Sequence, residues 1–406
     1  MDKKTQSDII STLPQNIIDN ILCLMPIRDA LRTSVLSKKW QYSWQSMPKL
    51  VFTGNMVTVS SDHLCGQVKN YKLASGIFHV LLLHNGPETL VFDCSDGRFR
   101  MQSEFSRVIR YLAKGNKVKE LYFYNSNSFY KIPISFFTLQ SLEVVHLEDC
   151  AFEPPLTFNK FSRLKVMTFV NVEVSAQMLQ RFLSKCPLLE YLALDGDPLG
   201  VDFVEGENKF TFVDLLQYVP LIKSLNTSKY YMKYLSAGGM PHKLPTTLAN
   251  LKHLLSDVCL VKQNEISSAL CMIRSAPLLV EITIMVNMLL LMVAALYTFI
   301  DMFSNQMYDN ETFPTPRTPT NFLDLEGYPD LKLDHLEMLE IQEFSNLPLE
   351  MEFVKLIMAK SPVLKKVRIV LRDNVSVDEE LEMLRDLILL PFPRASPSAR
   401  LTIVRP

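Results

Sequence analysis

Glycine is scarce in this sequence, with 12 residues in 406, and the local enzyme motifs that depend on it are missing. The sequence has no glycine-rich phosphate loop, no Gly-x-Ser-x-Gly nucleophile elbow and no His-Glu-x-x-His pattern. The seven histidines lie far apart, and none has a His or Cys partner at metal-ligand spacing. A catalytic site would have to be assembled from distant loops, so we expect a non-catalytic protein without a cofactor or metal.

Neither sign of charge is in excess, because 42 Lys and Arg stand against 43 Asp and Glu. This balance gives no indication of nucleic acid or of an anionic membrane surface as a partner. The seven cysteines are scattered, odd in number and without metal-ligand spacing, which predicts reduced thiols in a protein of the nucleus or cytoplasm. The first residues, MDKKTQSDII, contain no apolar run and do not read as a signal peptide.

Near its start the chain carries a dense apolar stretch, LPQNIIDNILCLMPIRDALRTSVLSKKWQYSW. Pro14 predicts the start of a first helix and Pro26 its end, and a second helix is expected directly afterwards. Ser37 is expected to cap a third helix that carries Trp40 and Trp44 on one side. Three short helices cannot bury so wide an apolar surface among themselves. They are therefore expected to dock on the rest of the chain or on another protein.

This stretch resembles an F-box in order and spacing, with LP at the start of a helix followed by IL, LMPIRD and VLSKKW. An F-box binds a Skp-type adaptor and thereby joins a cullin-RING ubiquitin ligase, so the resemblance implies those partners. For Ile18, Leu31 and Val35 we expect internal packing instead. The residues that the resemblance assigns to the adaptor, each with internal packing as its alternative, are Leu13, Pro14, Ile21, Leu24, Pro26, Leu36 and Trp40.

Four later segments share one spacing of apolar residues and begin 22 to 25 residues apart. This period is typical of leucine-rich repeats, in which a short strand directs alternate residues inward and a return segment covers them. We expect the first strand of this solenoid in GPETLVFDCSD, at 86–96. The four segments are Val118-Leu121-Phe123, Leu142-Val145-Leu147, Leu164-Met167-Phe169 and Leu189-Leu192-Leu194.

A helix that ends at an x-Pro pair and leads into an apolar strand occurs three times, around Pro187, Pro277 and Pro362. These repeats resemble the irregular leucine-rich repeats of plant F-box proteins, and the tail resembles the FBD domain that ends many of them. In the tail we expect strands at 336–341, 364–369 and 401–404, with helices at 349–360 and 378–390. The last helix has a capping box formed by Ser376 and Glu379. Its predicted apolar face consists of Leu381, Leu384 and Ile388.

Residues 282–300 carry no charge and are long enough for a membrane span. The repeat pattern, however, already assigns Leu279, Ile282 and Ile284 to a strand. The remainder, at 288–303, is therefore expected to be a buried helix that is too short to cross a bilayer. Because no Lys or Arg lies close to either end to orient a span, we do not expect a membrane partner.

The sequence thus predicts an α/β protein. A small N-terminal three-helix F-box is followed by an irregular leucine-rich-repeat solenoid, with parallel strands on one face and helices on the other, and the chain ends in a βαβαβ FBD region. The implied function is substrate recognition in a Skp–cullin–F-box ubiquitin ligase. The alternative is a repeat scaffold outside a ligase, with or without a membrane anchor through 282–300. The expected parts are an N-terminal tail at 1–8, the F-box at 9–50, repeats at 51–300, a mobile loop at 301–330 and the FBD region at 331–406.

Overall fold

A computed structural model of the chain describes residues 9–53, 66–95, 102–126, 130–196, 215–231, 243–260, 263–286, 328–373, 376–389 and 394–405. The chain divides into two compact units, Met1–Val204 and Glu205–Pro406. Each unit is built on its own run of parallel strands, and helices described below lie between several of these strands in the chain.

The first unit begins with three helices, α1 (Ile9–Thr12), α2 (Gln15–Cys23) and α3 (Ile27–Arg32). Pro14 and Pro26 are the N-caps of α2 and α3, so the prolines separate the helices as predicted. The prediction of a third helix after Ser37 is wrong, since the chain instead forms turns and a 3₁₀ segment, Ser43–Ser46. The reason is packing, because Trp40 and Trp44 are both buried and draw this stretch back against the first helices.

The sheet of the first unit is entirely parallel. Its alternate residues point inward, and the apolar residues of the four predicted repeat segments are all buried, which confirms the repeat pattern. In order across the sheet the strands are β1 (Lys49–Thr53), β2 (Thr89–Cys94), β3 (Glu120–Asn125), β5 (Val144–Glu148), β7 (Val166–Val170) and β8 (Tyr191–Asp195). Two short strands, β4 (Tyr130–Lys131) and β6 (Cys150–Ala151), form a second small sheet.

The strand predicted in 86–96 is present as β2, but it is not the first of the sheet. β1 precedes it and pairs with it in parallel, from Lys49 with Thr89 to Thr53 with Asp93. Leu50 and Phe52 of β1 are buried in the same alternation as the later strands. The boundary expected between residues 50 and 51 therefore falls inside a strand, and the N-terminal module runs directly into the sheet.

The inward face of this sheet is covered by α4 (Gly66–Leu83), α5 (Gln102–Gly115), a 3₁₀ turn (Ile134–Thr138) and α6 (Ala176–Leu183). Phe105 of α5 lies against Phe123 of β3, with ring centroids 4.2 Å apart. Ser175 caps α6 as predicted, and its hydroxyl accepts a hydrogen bond from the backbone N–H of Met178 at 3.3 Å. Leu179, Phe182 and Leu183 are buried beneath this cap.

The second unit repeats the same architecture. Its strands β9 (Ser224–Thr227), β10 (His253–Val258), β11 (Glu281–Val286), β12 (Met338–Phe344), β13 (Lys366–Leu371) and β14 (Arg400–Val404) pair in parallel in chain order. Among the described residues, the helices α7 (Gln263–Ser275), α8 (Pro348–Ala359) and α9 (Val377–Leu389) accompany them. The predicted βαβαβ order of the tail is thus confirmed, and its strands continue the sheet that β9 to β11 begin.

The last helix, α9, differs from its predicted packing. The predicted capping box is present, because Glu379 N–H donates to the Ser376 hydroxyl at 3.3 Å and Ser376 N–H donates to the Glu379 carboxylate at 2.9 Å. Leu381, expected on the apolar face, is 59% exposed, whereas Met383 is buried and Leu384 half-buried. The buried side of α9 is rotated toward Met383, so the prediction that Leu381 is a core residue was wrong. The side chain of Ile388 lies outside the described residues.

The apolar segment at 282–300 begins as a strand. Residues 282–286 belong to β11, which is paired on one side with β10 and on the other with β12, as the repeat pattern predicted. A membrane-spanning helix through the whole of 282–300 is therefore ruled out. The helix predicted at 288–303 lies outside the described residues, as does nearly all of the loop predicted at 301–330. None of the helices in the described ranges combines the length and the apolar character that a bilayer crossing requires.

Candidate functional site

The N-terminal module packs around a small apolar core and leaves other large apolar residues in solvent. Ile18, Leu22, Ile27 and Ala30 are buried, with Ile18 in the internal position predicted for it. Two apolar side chains of the module, Leu24 and Val35, are each 88% exposed. We call the most exposed apolar residues of α2, α3 and the following turn the exposed apolar set; they are Pro14, Ile17, Leu24, Pro26, Val35 and Leu36.

The residues assigned to the adaptor from the sequence do not share one environment. Pro14, Leu24, Pro26 and Leu36 are exposed. Leu13 and Ile21 are half-buried, so that part of each side chain remains accessible.

Trp40 lies inside the module and is only 3% exposed. Its indole N–H donates a hydrogen bond to the carbonyl oxygen of Ile10, so the structure gives it the internal packing role that was its alternative. It therefore does not belong to the exposed apolar set.

Sequence reasoning missed Ile17 and Val35 as surface residues. Val35, which we expected inside, lies in a 3₁₀ turn that follows the end of α3 at Arg32. The tighter turn changes the direction in which successive side chains point, so Val35 does not fall one helical turn below Leu31. Leu31 itself is half-buried.

The module is joined to the sheet by the same hydrogen bonds that join one repeat to the next. The carbonyl oxygen of Pro48 accepts from the N–H groups of Glu88 and Thr89 at 2.8 and 2.9 Å. The carbonyl oxygen of Glu88 in turn accepts from Lys119 and Glu120 at 2.7 and 3.0 Å. The module therefore occupies the place of a first repeat, which fixes it to the sheet without a flexible linker.

His84 contributes to this junction. Its ring lies 6.5 Å from that of Trp44 between centroids, and its Nδ1 accepts a hydrogen bond from Gly86 N–H at 3.0 Å. Burial lowers the pKa of His84 to about 4, with nearby Lys117 acting in the same direction, so the ring is neutral at physiological pH. A neutral imidazole at this position acts as an apolar and accepting group, which suits a packed interface.

The opposite, open face of the first sheet carries a group of aromatic and acidic side chains near the ends of β2, β3 and β5. We call it the aromatic-acidic patch, formed by Asp93, Tyr122, Tyr124, His146 and Glu148. The strand register places Tyr124 beside Asp93 and Tyr122 beside His146. The His146 ring centroid lies 4.7 Å from that of Tyr124 and 6.2 Å from that of Tyr122.

Partial burial shapes the charge of this patch. It raises the pKa of both tyrosines and lowers that of His146, so all three rings are neutral at physiological pH. The pKa of Glu148 is also raised, first by burial and then by the neighbouring charges of Asp149 and Asp93. His146 Nε2 lies 3.7 Å from the Glu148 carboxylate, too far for a hydrogen bond. Across the described ranges no three His, Cys, Asp or Glu side chains are arranged to hold a metal ion.

Comparison with known families matches three segments of the chain. Residues 10–52 match the F-box domain, residues 105–208 match the LRR repeats of the FBD-associated F-box protein At5g56370, and residues 329–369 match the FBD. These segments appear in the order expected from the sequence, and the matched F-box includes part of β1.

Similar whole proteins come from Arabidopsis thaliana. The F-box/FBD/LRR-repeat protein At1g13570 is 29% identical over 98% of this chain and 99% of its own length. The F-box/FBD/LRR-repeat protein At1g51370 is 27% identical over 65% of this chain and 62% of its own length, so the alignment spans less than two thirds of that relative. Among solved structures, the leucine-rich repeat-containing protein LegL7 from Legionella pneumophila is 15% identical and covers 77% of this chain and 85% of its own, with a TM-score of 0.36. The chain thus carries matches to an F-box, to leucine-rich repeats and to an FBD, and it is similar along almost its whole length to an F-box/FBD/LRR-repeat protein of Arabidopsis thaliana.

Proposed function

We propose that this protein is the substrate-recognition subunit of a Skp–cullin–F-box ubiquitin ligase, with the exposed apolar set as its adaptor surface. The observation that carries the proposal is the exposure of Leu24 and Val35 on a module whose core is otherwise complete. Large apolar side chains kept in solvent beside a satisfied core favour a surface that a partner covers. The F-box match over residues 10–52 supports a Skp-type adaptor as that partner.

The proposed mechanism is proximity, without chemistry by this chain. The Pro48 carbonyl holds the module in the hydrogen-bond ladder of the sheet, so an adaptor bound at one end has a defined position relative to the open face of the first unit. A protein held on that face would lie at a fixed distance from the ligase, and ubiquitin transfer to its lysines would become effectively intramolecular. A rigid connection favours this role because a flexible linker would lower the effective concentration.

We also propose that the protein acts in the nucleus or cytoplasm. Cys94, Cys150, Cys186, Cys259 and Cys271 are buried free thiols, which suits a reducing compartment. Burial raises the pKa of Cys271 to about 11, so its thiol is protonated and unreactive.

Co-expression of the full chain with a Skp-type adaptor tests the proposal. We expect a stoichiometric complex that survives size-exclusion chromatography and that recruits a cullin when the cullin is added. A chain that remains separate from the adaptor would contradict the ligase role and favour the repeat scaffold.

A further inference from the structure

We propose that the aromatic-acidic patch is a docking site for a Lys or Arg side chain presented by a segment of a protein partner. The inference deepens the proposed function, since the partner's role as a ubiquitination substrate rests on it. Binding of a cationic side chain at the patch, by contrast, does not depend on the proposed ligase function. The argument combines the arrangement of the rings, the charge around them and the contrast with the second unit.

The rings form a continuous aromatic surface across two strands. Tyr122 and Tyr124 lie on the same face of β3, two residues apart, and His146 on β5 is in ring contact with both. An aromatic face attracts a cation through its quadrupole, most strongly when several rings act together and water is partly excluded. The half-burial of all three side chains provides that partial exclusion.

Two carboxylates complete the patch. Asp93 neighbours Tyr124 across the β2–β3 ladder, and Glu148 follows His146 on the same face of β5. Asp93 accepts hydrogen bonds from Ser95, but within the described ranges neither Asp93 nor Glu148 forms an ion pair with a Lys or Arg. Burial, and then repulsion from Asp149 and Asp93, raises the pKa of Glu148, and a cation placed between Asp93 and Glu148 would relieve their part of that repulsion.

Several carboxylates on or beside the strands of these sheets form ion pairs with a cation. On the open face of the second unit, Glu340 of β12 forms a 2.8 Å ion pair with Arg368 of β13. Just before the strands of the first unit, Lys119 pairs with Glu88 at 3.0 Å and Lys165 with Glu143 at 3.4 Å. In contrast to these carboxylates, Asp93 and Glu148 lie beside aromatic rings and form no ion pair with a Lys or Arg among the described residues.

This composition selects among partners. An acidic segment or a nucleic acid would be repelled by Asp93 and Glu148, and a purely apolar segment would desolvate both carboxylates without replacing their water. A Lys or Arg side chain fits both the rings and the carboxylates, since its methylenes pack on the rings while its charged end reaches a carboxylate.

The experiment is selection of random displayed peptides on the full chain, purified with its Skp-type adaptor. We expect the selected peptides to be enriched in Lys or Arg. Synthetic versions of the best peptide in which Arg becomes citrulline or Lys becomes norleucine should bind about tenfold more weakly. The variants Tyr124→Ala and Glu148→Gln should weaken the cationic peptide by a similar factor. Glu143→Gln, which removes a carboxylate beside the same strand but outside the patch, is the matched control and should leave binding unchanged.

Each outcome decides the inference separately from the ligase role. Selected peptides that lack cations, no selected peptide at all, or equal binding by Glu148→Gln and wild type would overturn the inference, even if the adaptor binds normally. Cationic peptides whose binding depends on Tyr124 and Glu148 would support it, even if the chain fails to retain the adaptor.

Discussion

The indole N–H of Trp40 donates a hydrogen bond of 3.0 Å to the carbonyl oxygen of Ile10. This contact joins the last part of the N-terminal module to its first helix, 30 residues earlier in the chain. It gives Trp40 a structural role in the same module whose Leu24 and Val35 face solvent. Stability and adaptor binding should therefore respond to different residues.

Trp40→Ala is expected to destabilise the module, because it leaves a cavity and frees the Ile10 carbonyl. Truncation of a buried tryptophan typically costs about 3 to 5 kcal/mol. Hydrogen exchange of the α2 and α3 amides should accelerate strongly in this variant, while amides of the second unit keep their rates. Unchanged exchange in α2 would show that the indole contributes no packing.

Leu24→Asp combined with Val35→Asp is expected to weaken adaptor binding by at least about a hundredfold, because a partner surface shaped for apolar groups would have to bury two charges. The fold should persist, since both side chains are in solvent. Leu156→Asp is the matched control, because Leu156 is 82% exposed in the same unit but outside the module. Surface plasmon resonance with immobilised adaptor measures the difference, and equal affinities for the double variant and wild type would remove these residues from the adaptor surface.

Gly196→Ala is expected to destabilise the first unit by roughly 2 kcal/mol or more. Gly196 has φ +77°, and an added Cβ would lie 1.9 Å from Asn171 Oδ1. Gly76→Ala in α4 offers a paired comparison, because nothing lies within 4 Å of its added Cβ. There the helix should gain about 0.5 to 1 kcal/mol. Urea denaturation followed by circular dichroism should move the two variants in opposite directions, and a stable Gly196→Ala would contradict the close approach.

Glu350 predicts a pH dependence of the second unit. Its carboxylate is buried at the start of α8 and accepts hydrogen bonds from the backbone N–H groups of Ser345 and Leu347. Even so, burial raises its pKa to about 7. The stabilisation that its protonated form provides is complete below the unfolded pKa near 4.5 and is lost as pH rises through 7. The loss is on the order of 3 kcal/mol.

Glu350→Gln should remove this dependence, so its melting temperature relative to wild type should increase from pH 5 to pH 8. Glu352→Gln, on the same helix but paired with Lys355, should show no such trend. A constant difference between Glu350→Gln and wild type across this range would mean that the Glu350 carboxyl does not titrate there.

Deletion of residues 331–406 should make the remaining chain aggregate or become sensitive to protease. The deletion removes β12 and so exposes the backbone edge of β11, together with apolar residues that α8 covers. Limited proteolysis and size-exclusion chromatography measure the outcome. A truncated chain that stays monomeric and equally resistant would show that the C-terminal region is an independent domain.

Much of the strand order was predictable because it depends on signals from neighbouring residues, namely prolines that end a helix and apolar residues that alternate along a strand. Pro187, Pro277 and Pro362 end a helix or turn just before β8, β11 and β13; β11 and β13 have alternating buried residues, whereas the centre of β8 is buried throughout. β1 was missed because no helix of the repeat type precedes it. Its signal was present in Pro48 followed by the alternating Leu50 and Phe52.

The functional surfaces were less accessible to sequence reasoning because they depend on neighbours that are distant in the chain. Tyr122 and Tyr124 were identifiable as strand aromatics, but their contact with His146 follows from the register between β3 and β5. The exposure of Val35 likewise depends on where α3 ends and the 3₁₀ turn begins. Periodicity gives the inward face of an element, whereas the partners of its outward face come from tertiary structure.

Trp40 and Trp44 are the two tryptophans of the entire chain, and both are buried in the N-terminal module. Intrinsic fluorescence excited at the red edge of the absorption band therefore reports on this module alone, without labels and without signal from the repeats. Because the neighbouring His84 is neutral until pH falls to about 4, it does not quench Trp44 as an imidazolium under ordinary buffer conditions. The protein thus contains an optical probe located at the end where the adaptor is proposed to bind.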